Sequence, residues 1–379
     1  MNIYKIKDIV SFQNGFAFNS KDMGPTGTNI IKIKEVKNNK ITITESTQKI
    51  SNYDYDSMKK YLVNYNDILI ALTGDPTNKG SEESWVGRTA IYREKECALL
   101  NQRMCKIIPN TKYILPKYLY YYLISYPTLY TLASSAKGSA NQANISHKDV
   151  GELDISLPSI EMQQHIVDII GSLDDKIENN NKIIEKMNNL LNVKTNELLL
   201  CKTKKIQLND IIEECKEKSE IELVPYSVIN TGKVIIQNEQ FNKEIAKNTK
   251  GKYKKIKKDY FVYNPSRINI GSIGVMEDEI GCVSPIYVVF KCIEEYKIYL
   301  QQLLTFDSMI KEINKRCSGS VRQALSFNDL CSIEIYDIEK EKLKIYNKYC
   351  DSIIRITKKL EQENKLLENQ KKLYLTKFF

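Results

Sequence analysis

Residues 160–200 read IEMQQHIVDIIGSLDDKIENNNKIIEKMNNLLNVKTNELLL, a long run with a regular apolar pattern. From Ile166 its apolar residues recur at alternating spacings of four and three, with acids and lysines between them. Neither proline nor, after Gly171, glycine interrupts the run, and Ser159 stands where a helix N-cap belongs. The spacing predicts a coiled-coil helix. At about 1.5 Å per residue, roughly 40 residues make a rod on the order of 60 Å long.

The seam of this predicted helix is mostly apolar, with two polar exceptions. Its positions are Ile166, Ile170, Leu173, Ile177, Asn180, Ile184, Met187, Leu191, Lys194 and Leu198. Polar residues at seam positions fix register at some cost in stability, so we expect Asn180 and Lys194 to set the alignment with a partner helix. A single long helix folded onto one domain's core is the alternative.

The end of the chain repeats the pattern and favours a helix pair. From about Lys340 to Phe379, the residues Ile353, Leu360 and Leu367 stand where Ile177, Ile184 and Leu191 stand. Two similar helices, one central and one terminal, predict an internal duplication. Because one helix follows each copy, we expect the two helices to pack antiparallel.

The segments before the helices share one plan. The pattern of the first segment predicts a short helix-like start at Ile3–Val10 and a helix at Pro116–Leu132. It predicts strands at Asn29–Val36, Lys40–Thr44, Asp67–Leu72, Met104–Ile108 and Leu153–Leu157. The second predicts a start at Ile206–Ile212, strands at Val283–Val289 and Ser332–Tyr336, and a helix at Tyr296–Lys315. Lys258–Val262 matches Asn66–Ile70. Each copy is therefore predicted to be a mixed α+β domain.

Composition excludes several classes of protein. The chain has 379 residues with 42% hydrophobic content, enough for two domains with cores. Nine cysteines without any Cys-x-x-Cys motif and only two histidines argue against a disulfide framework or a zinc site. No signal-like apolar run opens the chain, so we expect a cytoplasmic protein. We find no nucleotide-binding loop, methyltransferase motif or nucleophile motif, and expect no cofactor.

Charge and two loops point to nucleic acid. The net charge is +9, and lysines crowd the stretch from Lys243 to Lys258, which suits either phosphate contact or a solvated basic loop. The loop from Lys137 to Ile145 carries Asn and Gln amides, which suit base edges but also occur in ordinary polar turns. Its Gly138, Ser139, Gln142 and Ala143 recur as Gly319, Ser320, Gln323 and Ala324.

Together these features resemble the specificity subunit of type I DNA restriction–modification systems. The resemblance rests on the repeated order of domain then helix, the Gly-Ser-x-x-Gln-Ala loops, and the segments Asn264–Asn269, Gly271–Gly274 and Ser284–Tyr287. It implies two target-recognition domains, each reading half of a bipartite DNA site. It also implies partner proteins, namely two methyltransferase subunits docked on the helices and restriction subunits, but no membrane. In the family the first helix begins with Pro-x-x-Glu-Gln; here Met162 replaces the Gln after Glu161.

The predicted architecture follows from the repeat and the resemblance. We predict an α+β fold of two mixed α/β target-recognition domains in pseudo-two-fold repeat, joined by two long antiparallel coiled-coil helices. The predicted boundaries are 1–158 and 203–337 for the recognition domains, and 159–202 and 338–379 for the helices. A DNA-modifying enzyme with drifted motifs and a coiled-coil scaffold that binds only protein are the alternatives.

The predicted functional residues form two sets. DNA contacts are predicted at Asn14, Lys79, Arg88, Gln102, Arg103, Lys137, Ser139, Asn141, Gln142, Asn144, Lys252, Lys254, Lys255, Arg267, Asn269, Ser272, Ser320, Arg322 and Gln323. Helix pairing and subunit docking are predicted at Ile166, Ile170, Leu173, Ile177, Asn180, Ile184, Met187, Leu191, Ile353, Leu360 and Leu367. No catalytic or metal-binding residue is predicted.

Overall fold

The computed structural model describes residues 2–51, 53–139, 142–200, 204–237, 249–317 and 324–379. The chain forms two compact units. Unit 1 contains Met1–Asn180 and Gln362–Phe379, and unit 2 contains Asn181–Glu361. Each long helix therefore contributes one part to each unit.

Two long helices dominate the helical content. The helices within the described residues are α1 (Ile6–Ile9), α2 (Tyr55–Met58), α3 (Pro116–Ile124), α4 (Tyr126–Ser135), α5 (His147–Gly151), α6 (Ile160–Leu200), α7 (Lys297–Leu303), α8 (Asp307–Arg316), α9 (Phe327–Cys331) and α10 (Lys340–Phe378). Helix α6 has 41 residues and α10 has 39. The predicted fold class, α+β with two long antiparallel helices, is confirmed. None of the helices in the described ranges is both long and apolar enough to span a membrane.

Unit 1 is built on a six-stranded sheet. Its strands are β1 (Asn2–Lys5), β2 (Val10–Asn14), β3 (Met23–Gly24), β4 (Thr28–Ile31), β5 (Val36–Lys37), β6 (Lys40–Ile41), β7 (Lys49–Ile50), β8 (Leu62–Val63), β9 (Ile68–Ala71), β10 (Thr73–Gly74), β11 (Thr89–Ile91), β12 (Ala98–Leu100), β13 (Met104–Pro109), β14 (Lys137–Ser139), β15 (Gln142–Asn144) and β16 (Asp154–Leu157). The large sheet has the order β2-β13-β9-β11-β6-β5, and a second sheet has the order β3-β7-β4-β12-β8. Helices α3 and α4 and the start of α6 pack on its core.

Unit 2 repeats this plan, with fewer strands in the part of it that the structure describes. They are β17 (Lys205–Gln207), β18 (Ile212–Glu214), β19 (Pro225–Val228), β20 (Val234–Ile236), β21 (Lys254–Lys257), β22 (Phe261–Tyr263), β23 (Ile273–Val275), β24 (Ile280–Val283), β25 (Val288–Cys292) and β26 (Glu334–Tyr336). Two four-stranded sheets form, with orders β18-β25-β22-β23 and β20-β19-β24-β21. The core contains buried residues of α7, α8 and the first part of α10.

Several predicted elements are wrong because turns interrupt them. Ile3–Val10 is not one helix but parts of β1, α1 and β2. The predicted helix Pro116–Leu132 breaks at Ser125, whose ψ of 145° is extended. The predicted strand Val283–Val289 breaks around Pro285, which has no N–H to donate to a sheet. The helix predicted at Tyr296–Lys315 is likewise two helices, α7 and α8.

The sequence alignment of the two copies also needs correction. Asn66 and Asp259 both have positive φ, 73° and 68°, and their N–H groups donate to Tyr92 and Met276 respectively. Asn66 therefore corresponds to Asp259, one residue later than the sequence match placed it. The correspondence between equivalent positions of the two long helices also changes by one turn, because α6 begins at Ile160 and α10 begins at Lys340. Ile353 thus corresponds to Leu173, not Ile177; a seam that recurs every turn permits such a slip.

Candidate nucleic-acid interface and helix pair

In unit 1 three strands of the large sheet bring polar side chains to one edge. β13 is antiparallel to both β2 and β9, and pairs Cys105 with Asn14 and Met104 with Ala71. The ends of β2 and β9 therefore lie beside the start of β13. Exposed Asn14 and the exposed Gln102–Arg103 turn leave the sheet at this edge, which we name the unit 1 edge.

The loop predicted to read bases joins the same edge. Ile145 donates its N–H to Leu72, and β15 pairs with β10 immediately after β9. Thr73 donates its hydroxyl to Asn144 Oδ1 at 2.9 Å. Lys137 and Asn144 are exposed and Gln142 is half-buried on the β10-β15-β14 sheet. Asn14 and Asn144, predicted contacts that are 130 residues apart in sequence, are thus brought to the same edge.

Gly138 permits the tight hairpin that carries this loop. Its φ is +153°, and a Cβ there would lie 2.1 Å from the Gln142 carbonyl oxygen. Any other residue would push the two strands apart. The backbones of β14 and β15 therefore approach closely at Gly138.

Arg88 has a structural environment that the sequence did not predict. Its half-buried guanidinium donates to the carbonyl oxygens of Val36 and Glu83, at 3.2 and 2.7 Å. Burial lowers the pKa of Arg88 from its ordinary value. These bonds fix the long loop after β10, so the role of Arg88 in the structure is to support that loop. Lys79 is exposed at the tip of the same loop.

Unit 2 has an equivalent edge. β25 pairs with β18 and β22, so the ends of β18 and β22 lie beside the start of β25. Leu325 donates its N–H to Pro265, as Ile145 does to Leu72 in unit 1. The loop after β22 carries exposed Arg267 and half-buried Asn269. We name this the unit 2 edge.

The arginines at the two edges differ in their bonding from the other arginines of the described ranges. The chain has only seven arginines against 49 lysines. Within the described ranges, the guanidinium groups of Arg103 and Arg267 have no hydrogen-bond or ion-pair partner, and both side chains are exposed at the edges. By contrast Arg93, Arg316 and Arg355 bond to Asn66, Glu312 and Asp351. An exposed arginine without a partner is available for a ligand.

Two predicted contacts of unit 2 have other roles. Ser272 is 1% exposed, and its hydroxyl donates to the Val228 carbonyl at 2.9 Å. Lys254 is half-buried, and its ammonium donates to the Tyr287 carbonyl at 2.6 Å. Burial lowers the pKa of Lys254. Both predictions are corrected, because these groups are already satisfied inside the unit.

The basic stretch is partly neutralised by acids distant in sequence. Lys255 pairs with Glu217 at 2.8 Å and Lys258 with Glu279 at 2.5 Å. The hydrogen bond from Glu217 raises the pKa of Lys255. Lys252 is exposed in a turn, without a side-chain partner among the described residues. Asn141, Ser320, Arg322 and Gln323 lie outside the described residues, as do Lys243 and Lys247.

The helix pair is antiparallel within each unit. In unit 1, Asn180 donates to Asn364 Oδ1 at 2.9 Å, and Lys371 pairs with Asp174 at 2.6 Å. Residue numbers thus rise along α6 as they fall along α10. Buried seam positions of unit 1 are Ile166, Ile170, Ile177, Asn180 and Leu367, with Leu173 half-buried. In unit 2, Leu191 and Ile353 are buried and Ile184, Met187 and Leu360 are half-buried.

Lys194 is not the polar seam residue of unit 2. Its ammonium pairs with Glu197 and lies 5.7 Å from the Tyr349 ring centroid. The next residue, Thr195, is fully buried and within 2.7 Å of the Tyr346 hydroxyl. The short β-branched hydroxyl fits the seam, whereas a lysine ammonium stays near water.

Sequence reasoning missed two anchors of unit 1. Gln163 is buried and accepts the Leu115 N–H through its side-chain oxygen at 2.9 Å. Asp174 accepts from the Tyr121 hydroxyl at 2.9 Å as well as from Lys371. The sequence signal that could have revealed Gln163 was a glutamine on the apolar face of α6. No cluster of three or more His, Cys, Asp or Glu side chains in the described part of the chain is arranged to bind a metal.

The fold and its edges define a class of protein with two α+β repeats, each followed by a long helix. Residues 1–189 match the family described as "Type I restriction modification DNA specificity domain", and the chain belongs to this family.

Two relatives of the chain are specificity subunits. The chain is 38% identical over 88 residues to the type I restriction enzyme HindI specificity subunit of Haemophilus influenzae, covering 22% of this chain and 19% of that one. It is 27% identical over 168 residues to the EcoBI specificity subunit of Escherichia coli, covering 43% and 33%. The chain therefore spans only a fifth to a third of these relatives' lengths.

A solved structure has the same fold. The S subunit of a type I restriction-modification system from M. genitalium superposes with a TM-score of 0.59 and 14% identity, covering 100% of this chain and 96% of that one. At this identity the similarity concerns the fold alone.

Proposed function

We propose that the chain is the DNA-recognition subunit of a type I restriction–modification complex, in which each unit reads half of a bipartite target. The observation that carries this proposal is the repeated edge. Both units present an exposed arginine without an internal partner, Arg103 or Arg267, beside amide side chains. We assign recognition to residues 1–158 and 203–337, and spacing and docking to the helices at 159–202 and 338–379.

The chemistry of the edges suits base reading in the major groove. An arginine guanidinium donates two parallel hydrogen bonds to guanine O6 and N7, and Asn or Gln amides match adenine N6 and N7. Asn14, Gln102, Gln142 and Asn144 supply amides at the unit 1 edge, and Asn269 supplies one at the unit 2 edge. Exposed Lys79, Lys137 and Lys252 would contact phosphates, which position the protein without reading sequence.

The chain's partners in this proposal are double-stranded DNA, two methyltransferase subunits and restriction subunits. The family description, which names DNA specificity and restriction modification, supports DNA and a modification partner, and the relatives' names as restriction-enzyme specificity subunits support a restriction partner. We propose that the chain itself contributes no catalytic group and no cofactor. The helix surfaces outside the seam are where the other subunits would dock.

The test is selection of DNA targets by the full chain, with and without a methyltransferase subunit. Selection from a randomised duplex pool should yield two short half-sites with a fixed gap. Arg103→Ala should relax one half-site and Arg267→Ala the other, each costing about 1–3 kcal/mol of discrimination at one base.

Arg93→Ala is the matched control. Arg93 lies near the opposite end of the same unit 1 sheet, after β11, and its guanidinium is bonded to Asn66. The variant should select the parental target. A chain that selects no sequence even with a methyltransferase subunit, or that methylates or cleaves DNA by itself, would refute the proposal.

A further inference from the structure

A turn with the same hydrogen bond precedes β13 in unit 1 and β25 in unit 2. The exposed side chain on this turn is charged in unit 1 and apolar in unit 2. In unit 1, Met104 donates its N–H to Asn101 across the Gln102–Arg103 turn; in unit 2, Tyr287 donates to Ser284 across Pro285–Ile286. The first turn leads into β13, which pairs with β9, the strand after the Asn66 turn. The second turn leads into β25, which pairs with β22, the strand after the Asp259 turn. Ile286 therefore occupies the position that Arg103 occupies in unit 1.

Ile286 is displayed on a turn that the unit holds firmly. Proline at the second turn position presets the backbone dihedral φ, and here that residue is Pro285. Lys254 donates to the Tyr287 carbonyl at 2.6 Å, and the Tyr287 side chain is only 8% exposed. Yet the Ile286 side chain is 63% exposed. A rigid turn thus presents an apolar side chain to solvent.

The surroundings of Ile286 favour DNA as the binding partner of its side chain. Tyr263 and Val288 pair, so the loop containing Arg267 and the turn containing Ile286 leave the sheet side by side. The first loop also exposes Ile270, at 58%. An unpartnered guanidinium next to exposed aliphatic side chains suits a surface that is both anionic and locally apolar. In the major groove, the 5-methyl group of thymine is the apolar base edge.

We propose that Ile286 is a specificity-determining residue of unit 2, which contacts a thymine 5-methyl group where Arg103 contacts guanine in the other half-site. This inference rests on the proposed function. It assigns a different base preference to the same turn position in the two units, and it gives Lys254 the role of a positioning residue for that turn.

The first test exchanges the chemistry of the turn. The full chain with its methyltransferase subunits selects duplexes from a randomised pool, as wild type, Ile286→Arg and Ile293→Arg. Ile293 is 46% exposed just after β25, at the opposite end of the strand from Ile286. We expect Ile286→Arg to replace thymine by guanine at one position of one half-site. Ile293→Arg adds the same charge and should select the parental target.

The second test removes the methyl group from the DNA. Replacing that thymine by uracil should weaken wild-type binding about fourfold, the value of one buried methyl group. The same replacement should leave Ile286→Ala unaffected, because its contact is already lost. This coupling does not depend on the arginine variant.

The two tests separate this inference from the proposed function. Specific binding to an unchanged target by Ile286→Arg, together with equal uracil sensitivity in wild type and Ile286→Ala, would overturn the role of Ile286 alone. Absence of any selected sequence for the wild-type complex would overturn both proposals.

Discussion

Single lysines in the basic stretch have different roles although their sequence context is uniform. Lys252 is exposed, Lys254 bonds to the Tyr287 carbonyl, and Lys255 pairs with Glu217. Only the first keeps a charge available for a phosphate without giving up a bond in the unit. The partners of the other two come from segments more than 30 residues away.

We expect Lys252→Ala to flatten the dependence of DNA affinity on salt by roughly one unit, because one phosphate contact releases about one counterion. Lys254→Ala is the comparison variant at the same net charge. It should leave the salt slope unchanged and lower the free energy of unfolding by about 1 kcal/mol, the net value of one hydrogen bond. Filter binding at several salt concentrations and urea unfolding measure the two effects. Equal salt slopes for both variants would contradict this assignment.

At the scale of elements, a polar pair lies inside an apolar helix seam. Asn180 is 6% exposed, and its amide donates to both Asn364 and Glu363. Buried polar residues in a coiled-coil seam cost stability and fix alignment. The pair therefore distinguishes the observed register of the packed helices from one shifted by a turn.

Asn180→Leu should lower the free energy of unfolding by about 1–3 kcal/mol, because Asn364 loses that amide partner in a buried place. Asn180→Leu with Asn364→Leu should recover most of that loss, since an apolar pair needs no partner. Asn188→Leu, on the exposed face of α6, controls for added leucine. Denaturant unfolding measures the three variants; a double variant less stable than the single one would count against a register role.

The end of α10 supports unit 1, which is remote from it in sequence. Leu375 is 7% exposed in the unit 1 core, whereas Leu373 is 72% exposed. Leu375→Ala should cost about 2–5 kcal/mol and raise amide exchange in α3. Leu373→Ala, two residues earlier, should change stability by no more than about 0.5 kcal/mol. Similar exchange in both variants would show that α10 is not part of this core.

At the scale of the molecule, the proposed function makes the helix pair a ruler between half-sites. Inserting one heptad in each helix keeps the seam in phase and adds ~10 Å of length. The gap in the methylated motif should then grow by about three base pairs, at ~3.4 Å each, with both half-sites unchanged. Methylation mapping is the readout, because the rotation that accompanies the insertion lowers rate. Methylation at the parental spacing would show that the helices do not set the gap.

The two long helices and the duplication could be predicted from local sequence patterns alone. Periodicity is a local property, so apolar residues at spacings of four and three predicted α6 from Ile160 to Leu200 without knowledge of its partner. The strand Asp67–Leu72 was similarly clear, because buried apolar residues run through Ile68–Ala71. Where a turn residue overrode the pattern, as at Ser125 or Pro285, the local prediction was wrong.

Which polar residues are available for a ligand depends on tertiary packing and could not be predicted from sequence. Ser272 and Arg103 are both polar residues in predicted loops, yet one donates to Val228 inside unit 2 and the other has an exposed, unpartnered guanidinium at the unit 1 edge. Burial and hydrogen bonding depend on strands that are distant in sequence, and no periodicity encodes them. For the same reason the equivalence of Arg103 and Ile286 emerged from strand pairing, since their sequences share no motif.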